Sequence, residues 1–276
     1  MTTASAPASI ANLGPGFDLL ALAVSIRLEV EVEPSSRWLI TSDGRPVAEE
    51  TAAVVREVAG DEPLAVFIRS RIPVGKGLGS SAALRVATTA AVAAAEGRPD
   101  RDEVLRAAAA AEGHPDNAAA AVYGGLVAVM ADGKILRLGI HPSLRVIVGV
   151  PEDAMPTRRA REALPETVPR SVAVRTAGRV AALVEALRTA NPATFRAAAG
   201  DEMHEAPRHE PVTSKLMDAA RDAGALHVAW SGAGPSALAL ASDATASSVA
   251  TALADVMGPK GDVLRLAIDR RGLEIS

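Results

Sequence analysis

Cysteine is absent from all 276 residues, which excludes disulfides, thiolate nucleophiles and Cys-ligated metals and accords with a reducing cytosol. Aromatic residues are scarce at 2%, so the core has to be built from Ala, Val and Leu, whose small side chains let helices pack closely. Positive charge is not in excess: 29 Lys and Arg stand against 33 Asp and Glu, a net charge of −4 that leaves no basic footprint for nucleic acid. Long apolar runs are missing as well. Polar residues interrupt the Ala-rich stretches before bilayer-spanning length, and residues 1–8 have neither the basic start nor the apolar centre of a secretory leader. The expectation is a soluble cytoplasmic protein with no nucleic-acid or membrane partner, long enough for one large or two modest domains.

What is present is centred on Pro73-Val74-Gly75-Lys76-Gly77-Leu78-Gly79-Ser80-Ser81-Ala82-Ala83. An extended apolar run over residues 64–72 enters it and an Ala/Val/Thr-rich run over residues 82–95 leaves it, which reads as strand, glycine loop and helix. Glycines at alternate positions permit positive φ and bring backbone N–H groups close to a ligand, and a helix start adds unpaired donors and a positive dipole end. The ligand this favours is a phosphate. The spacing is neither that of a Walker A loop, with four residues before Gly-Lys-Ser/Thr, nor Gly-x-Gly-x-x-Gly, and no βαβ unit with an acidic ribose-binding residue follows, so a dinucleotide oxidoreductase is not supported.

Along the chain, Val24, Ile26, Leu28, Val30 and Val32 alternate with polar residues, the pattern of a strand with one wet face. Residues 38–41 are expected to pair with it. Helices are expected over residues 47–58, from a cap at Asp100 or Asp102 to about Ala111, and from Asp116 or Asn117 to about Gly124. Residues 126–130 and 135–138 form a hairpin around Asp132-Gly133. His141-Pro142 breaks the pattern and places a boundary between domains 1–142 and 143–276. Beyond it come strands at 144–150, 226–230, 237–241 and 262–268, with helices at 157–163, 171–188, 193–199, 212–223 and 244–257. Segregated strands and helices argue for an α+β fold with antiparallel pairing.

Four segments carry a family resemblance. Pro73 through Ala82 resembles the phosphate loop of the GHMP small-molecule kinases. Ala8-Ser9-Ile10-Ala11-Asn12-Leu13-Gly14-Pro15-Gly16-Phe17-Asp18 and Glu112-Gly113-His114-Pro115-Asp116-Asn117 are similar to the homoserine kinase branch of that family, and Ser231-Gly232-Ala233-Gly234-Pro235-Ser236 resembles its third motif. The resemblance implies the GHMP kinase fold: an N-terminal domain like domain 2 of ribosomal protein S5, a ferredoxin-like C-terminal domain, and a site between them. It implies ATP and Mg²⁺ as cofactors and a hydroxyl-bearing amino acid as partner, with phosphorylation of L-homoserine for threonine synthesis as the activity and a homodimer left open. Pro73, Gly75, Lys76, Gly77, Leu78, Gly79, Ser80, Ser81 and Ala82 would then bind ATP. Asn12, Asp18, His114, Asn117, Arg179, Arg208, Gly232 and Gly234 would bind the acceptor. Asn117, Ser81 and Arg179 would be catalytic, and Ser81 with Glu112 would hold the metal. Where the family usually carries an acidic metal ligand, two residues before Glu112, this chain has Ala110, which has no oxygen to offer and leaves Glu112 or water to substitute. Phosphorylation of another small alcohol and a non-catalytic nucleotide- or amino-acid-binding role are the alternatives.

Overall fold

Alternation along the first long strands decides where the core lies. In this computed structural model, which describes residues 2–153, 157–208 and 210–276, β1 (Thr2–Ala11) and β2 (Leu20–Pro34) pair antiparallel over nearly their whole length. Ala4, Ala6, Ala8 and Ile10 of the first and Val24, Leu28, Val30 and Val32 of the second face inward with at most 2% exposure. The chain continues through β3 (Leu39–Ser42), β4 (Arg45–Pro46), α1 (Glu49–Ala59), β5 (Leu64–Ser70), α2 (Ser80–Ala95), α3 (Arg101–Glu112), α4 (Asp116–Tyr123), β6 (Leu126–Val129) and β7 (Ile135–Leu138). The expected pairing of residues 38–41 with the long strand does not form. Both edges of β2 are already taken, by β1 and by β5, so β3 pairs in parallel with β5, Leu39 opposite Ala65. The 126–138 hairpin forms as expected and extends the start of β2.

Helix α2 lies over this sheet. Ala82, Ala83, Val86, Ala87, Ala90 and Ala91 are fully buried, and the helix packs on β1, β2, α1, α3 and α4. Alanine contributes little area, about 0.8 kcal/mol per buried CH₂ being the usual return, so the gain comes from how closely backbone approaches backbone. α3 begins at Asp100, whose carboxylate accepts from the Glu103 N–H at 2.8 Å, the expected cap.

The second half runs β8 (Arg145–Pro151), α5 (Thr157–Glu162), α6 (Arg170–Thr189), α7 (Pro192–Ala198), α8 (Glu205–Arg208), α9 (Pro211–Asp222), β9 (His227–Trp230), β10 (Ala237–Ala241), α10 (Ala246–Met257), β11 (Gly261–Leu266) and β12 (Glu274–Ile275). Its antiparallel sheet has the order β11-β8-β10-β9, and with α9 and α10 packed on it the unit reads βαββαβ, the ferredoxin-like arrangement. The change from one sheet to the other falls between Leu138 and Arg145. β12 returns to the first sheet, pairing antiparallel with β1, and Arg27 holds that return through Asp269 and the Gly272 carbonyl. One buried cluster runs from Ala4 through Val148 to Leu238, joining both halves.

Candidate active site

The glycine loop, residues 71–79, connects the end of β5 to the start of α2. Gly75, Gly77 and Gly79 have φ of 70°, 73° and 66°, the left-handed conformation that side chains resist. Space forbids them too: a Cβ on Gly77 would lie 2.0 Å from the Ser231 carbonyl oxygen, and one on Gly79 2.1 Å from Ser9 Oγ. The loop is pinned by Ser9 N–H donating to the Leu78 carbonyl at 3.1 Å and Ser231 Oγ donating to the Gly77 carbonyl at 2.7 Å. Gly79 caps α2 without a side chain, which leaves the first-turn N–H groups free for an anion.

A cavity of about 480 Å³ opens in front of this loop, within the size range of small-ligand sites. One end is apolar, walled by Leu28, Val47, Val54, Ile68 and Leu84 beside Thr51; the other is polar, with Asn12, His114, Asp116, Asn117, Arg161 and Arg208. The glycine loop, residues 75–79, lines the same cavity.

The polar end is assembled from both halves of the chain. Asn12 and Asp18 have positive φ, and Asn12 ties the turn together: its Oδ1 accepts from the Asp18 N–H at 3.1 Å and its Nδ2 donates to the Gly232 carbonyl at 3.0 Å. Buried imidazoles hold the same turn from behind. His204 Nε2 donates to the Gly14 carbonyl at 2.7 Å while the ring stacks on Phe17, and His227 Nε2 donates to the Leu13 carbonyl at 2.9 Å. Burial pushes both down, His204 to about 4, so both are neutral at pH 7. Arg161 grips the Asp18 carboxylate with both Nη atoms, at 3.1 and 2.6 Å. Arg208 donates to the Gly232 carbonyl at 3.0 Å, and both guanidinium groups lie near the Phe17 ring, at 5.6 and 5.7 Å from its centroid.

On the opposite wall, Asn117 Oδ1 accepts from Ser9 Oγ at 2.8 Å, which fixes the amide so that its NH₂ is the free end. Asp116 beside it is 1% exposed; burial raises its carboxyl, opposed chiefly by the charge of His114. Ser81 Oγ lies 3.1 Å from Glu112 Oε2, and Arg85 reaches both, its Nη1 2.9 Å from that carboxylate oxygen. These oxygens, at the helix start behind the phosphate loop, suit a hard cation. Among the described residues no group of three or more His, Cys, Asp or Glu is placed to hold a metal ion.

Of the residues singled out in the sequence, Pro73, Gly75, Lys76, Gly77, Leu78, Gly79, Ser80, Ser81, Asn12, Glu112, His114, Asn117, Arg208 and Gly232 line the cavity. Asp18 acts on it through Arg161; Ala82 is buried beneath the loop; and Gly234 lies behind the loop, its carbonyl oxygen 3.0 Å from where a Cβ on Gly77 would stand. The Lys76 ammonium is held by the Glu152 carbonyl. Arg179 is not among the residues lining the cavity, and its guanidinium is 2.8 Å from Glu202, which Arg175 also grips. Arg161 lines the cavity instead, and sequence reasoning missed it because a run of arginines offers no spacing that selects one. Ala110 lies exposed on α3, whereas Glu112 at the helix end turns towards Ser81. Ser9, Arg85 and Asp116 were missed also, for their roles depend on contacts from distant segments.

A strand–glycine loop–helix facing a split cavity, on these two sheets, defines a small-molecule kinase. The model of the GHMP kinases N terminal domain matches residues 47–125 and that of the GHMP kinases C terminal region matches 183–258, and the chain belongs to this family. Within it the chain's relatives include homoserine kinases. One from Thermus thermophilus is 38% identical over 275 residues, covering 95% of this chain and 94% of the relative, and that of Leifsonia xyli is 38% identical over 98% and 90%. The crystal structure of homoserine kinase from Cytophaga hutchinsonii superposes with a TM-score of 0.87 at 27% identity, over 100% of this chain and 97% of that one. A mevalonate kinase of L. major, with a TM-score of 0.73 at 17% identity, shares the fold.

Proposed function

We propose that the chain transfers the γ-phosphoryl group of ATP to the side-chain hydroxyl of L-homoserine, giving O-phospho-L-homoserine and ADP, a step towards threonine. The observation that carries this is the Asp18–Arg161 pair at the polar end of the cavity. It presents one carboxylate and, with Arg208, two guanidinium groups, the complement of an amino acid's ammonium and carboxylate. In the free protein the two ends of this reader satisfy each other. Substrate binding splits the pair, ammonium to Asp18 and carboxylate to Arg161 and Arg208.

The acceptor hydroxyl then points towards Asn117, whose amide, fixed by Ser9, orients it for in-line attack. The new bond joins the hydroxyl oxygen to the γ-phosphorus, the bond from that phosphorus to the β–γ bridging oxygen breaks, and the hydroxyl proton passes to the phosphate. Residues 75–81 donate N–H groups to the phosphates, and the apolar wall takes the base. Ser81 and Glu112 would hold Mg²⁺, which when bound neutralises charge on the phosphates. Residues 1–142 supply the phosphate loop, Asn117 and Asp18, and residues 143–276 supply Arg161, Arg208 and the Gly232 turn, so the halves act as two domains. No helix among the described residues is long and apolar enough to cross a membrane. The site of action we propose is the cytoplasm.

The test is ADP release with ATP and Mg²⁺ across L-homoserine, L-serine, L-threonine, mevalonate, shikimate and homoserinol, which lacks the carboxylate. Stimulation by L-homoserine, with homoserinol at least tenfold poorer in kcat/KM, is the expected result. Equal use of homoserinol refutes the role given to Arg161 and Arg208.

A further inference from the structure

Arg85 is a buried cation on the second turn of α2, four residues after Ser81 and 9% exposed. Its guanidinium bridges three helices. Nη1 donates to Ser81 Oγ and, at 2.9 Å, to Glu112 Oε2 on α3; Nη2 donates at 2.8 Å to Glu57 Oε2 on α1. Nε is buried with no partner. The group therefore sits on both oxygens that the preceding reading gives to a divalent ion, and it has a second carboxylate to fall back on. The two carboxylates differ: the Glu112 side chain is 13% exposed, that of Glu57 48%. A divalent ion bound to Glu112 Oε2 and a guanidinium 2.9 Å from the same oxygen repel each other.

We propose that Arg85 is a positioning residue that holds Glu112 and Ser81 in place while the metal is away and withdraws onto Glu57 when the metal–nucleotide complex enters. The inference rests on the metal role given to Ser81 and Glu112 above. Arg85 competes for Glu112, so the ion binds weakly until the nucleotide phosphates supply further oxygens. Metal and nucleotide consequently arrive and leave together. The withdrawal tightens the tie between α2 and α1, and α1 carries Thr51 and Val54 of the cavity's apolar end.

Two substitutions should act in opposite directions. The readout is the ratio of affinities for the Mn²⁺–ADP complex and for metal-free ADP, each measured by titration calorimetry on the full chain. In Arg85→Gln the competitor is gone, and the ratio should rise at least tenfold. In Glu57→Gln the fallback is gone, Arg85 stays on Glu112, and the ratio should fall several-fold. An unchanged or lower ratio in Arg85→Gln overturns the proposal. Should that variant not fold, Glu57→Gln decides alone, since Glu57 is half exposed and its loss leaves no buried charge: an unchanged or raised ratio overturns the proposal. Glu112→Gln separates the two levels of argument. If it leaves the ratio as in the parent, the metal role of Glu112 fails; if it abolishes metal preference while the other variants do nothing, only the role of Arg85 fails.

Discussion

Replacing Gly77 with alanine tests the contact on which the site depends. The added Cβ would stand 2.0 Å from the Ser231 carbonyl oxygen and 3.0 Å from that of Gly234, both backbone atoms with no side-chain freedom to yield. The left-handed φ of 73° adds about 1–2 kcal/mol of strain for any residue with a Cβ. Relief of the clash has to separate the loop from the 231–234 turn by about 1 Å. That breaks the 2.7 Å bond from Ser231 Oγ to the Gly77 carbonyl, worth about 1 kcal/mol. The sum is about 2–3 kcal/mol, or roughly 4–6 °C in Tm for a chain of this length. A shift of that size in a group that positions phosphates lowers kcat/KM by about a hundredfold. The control is Gly97→Ala, also left-handed at 75° but with nothing within 4 Å of the new Cβ, so it carries the strain without the clash. Thermal unfolding and ADP binding of both variants separate the two effects. If Gly77→Ala costs no more stability than Gly97→Ala and binds ADP as the parent does, the loop–turn contact is not what shapes the site.

Two further outcomes are expected. Arg161→Met removes half of the carboxylate reader: KM for L-homoserine should rise 10- to 100-fold, matching about 1.5–3 kcal/mol for a charge-assisted pair, with KM for ATP within twofold of the parent; a larger change in KM for ATP would show that Arg161 serves the nucleotide instead. The third concerns pH. Burial raises Glu205, which accepts from the Trp230 N–H at 2.8 Å, to about 7 from an ordinary 4.5, so the native state keeps a proton that the unfolded chain loses, and stability falls as pH rises through that window. Burial lowers His204 from 6.5 to about 4, so there the unfolded chain takes up a proton that the native state refuses, and stability falls as pH drops through 6.5 to 4. Each amounts to about 3 kcal/mol, and over the shared range they offset each other. Glu205→Gln should therefore expose the His204 slope, measured as urea stability rising from pH 4.5 to pH 7; a flat profile in the variant would refute the assignment.

What the sequence made legible is local. Alternation over residues 24–32 and glycine at 75, 77 and 79 are constraints that a segment imposes on itself, and β2 and the glycine loop appear where they were expected. Pairing across distance is another matter: β3 lies beside β5 because the edges of β2 are occupied, a fact of topology that residues 38–41 do not encode. β12 has two residues and α8 four, too few for any period to register. Among site residues, Asn12 and Asn117 stood out because residues 8–18 and 112–117 resemble motifs of the homoserine kinase branch. Arg161 and Arg179 look alike in sequence, and only the position of Asp18 and Glu202 in space tells them apart.

The return of β12 to the first sheet has a consequence for how the molecule is made. Strand β1, at the beginning of the sequence, finds a neighbour in residues 274–275, and the Arg27 contacts to Asp269 and Gly272 close only with that return. On a ribosome working from the N-terminus, the half that carries the phosphate loop therefore waits for the other half before its sheet is complete. A chain released early would leave β1 as an open edge, able to pair with another chain. The sheet that begins with β1 is thus completed by residues 274–275.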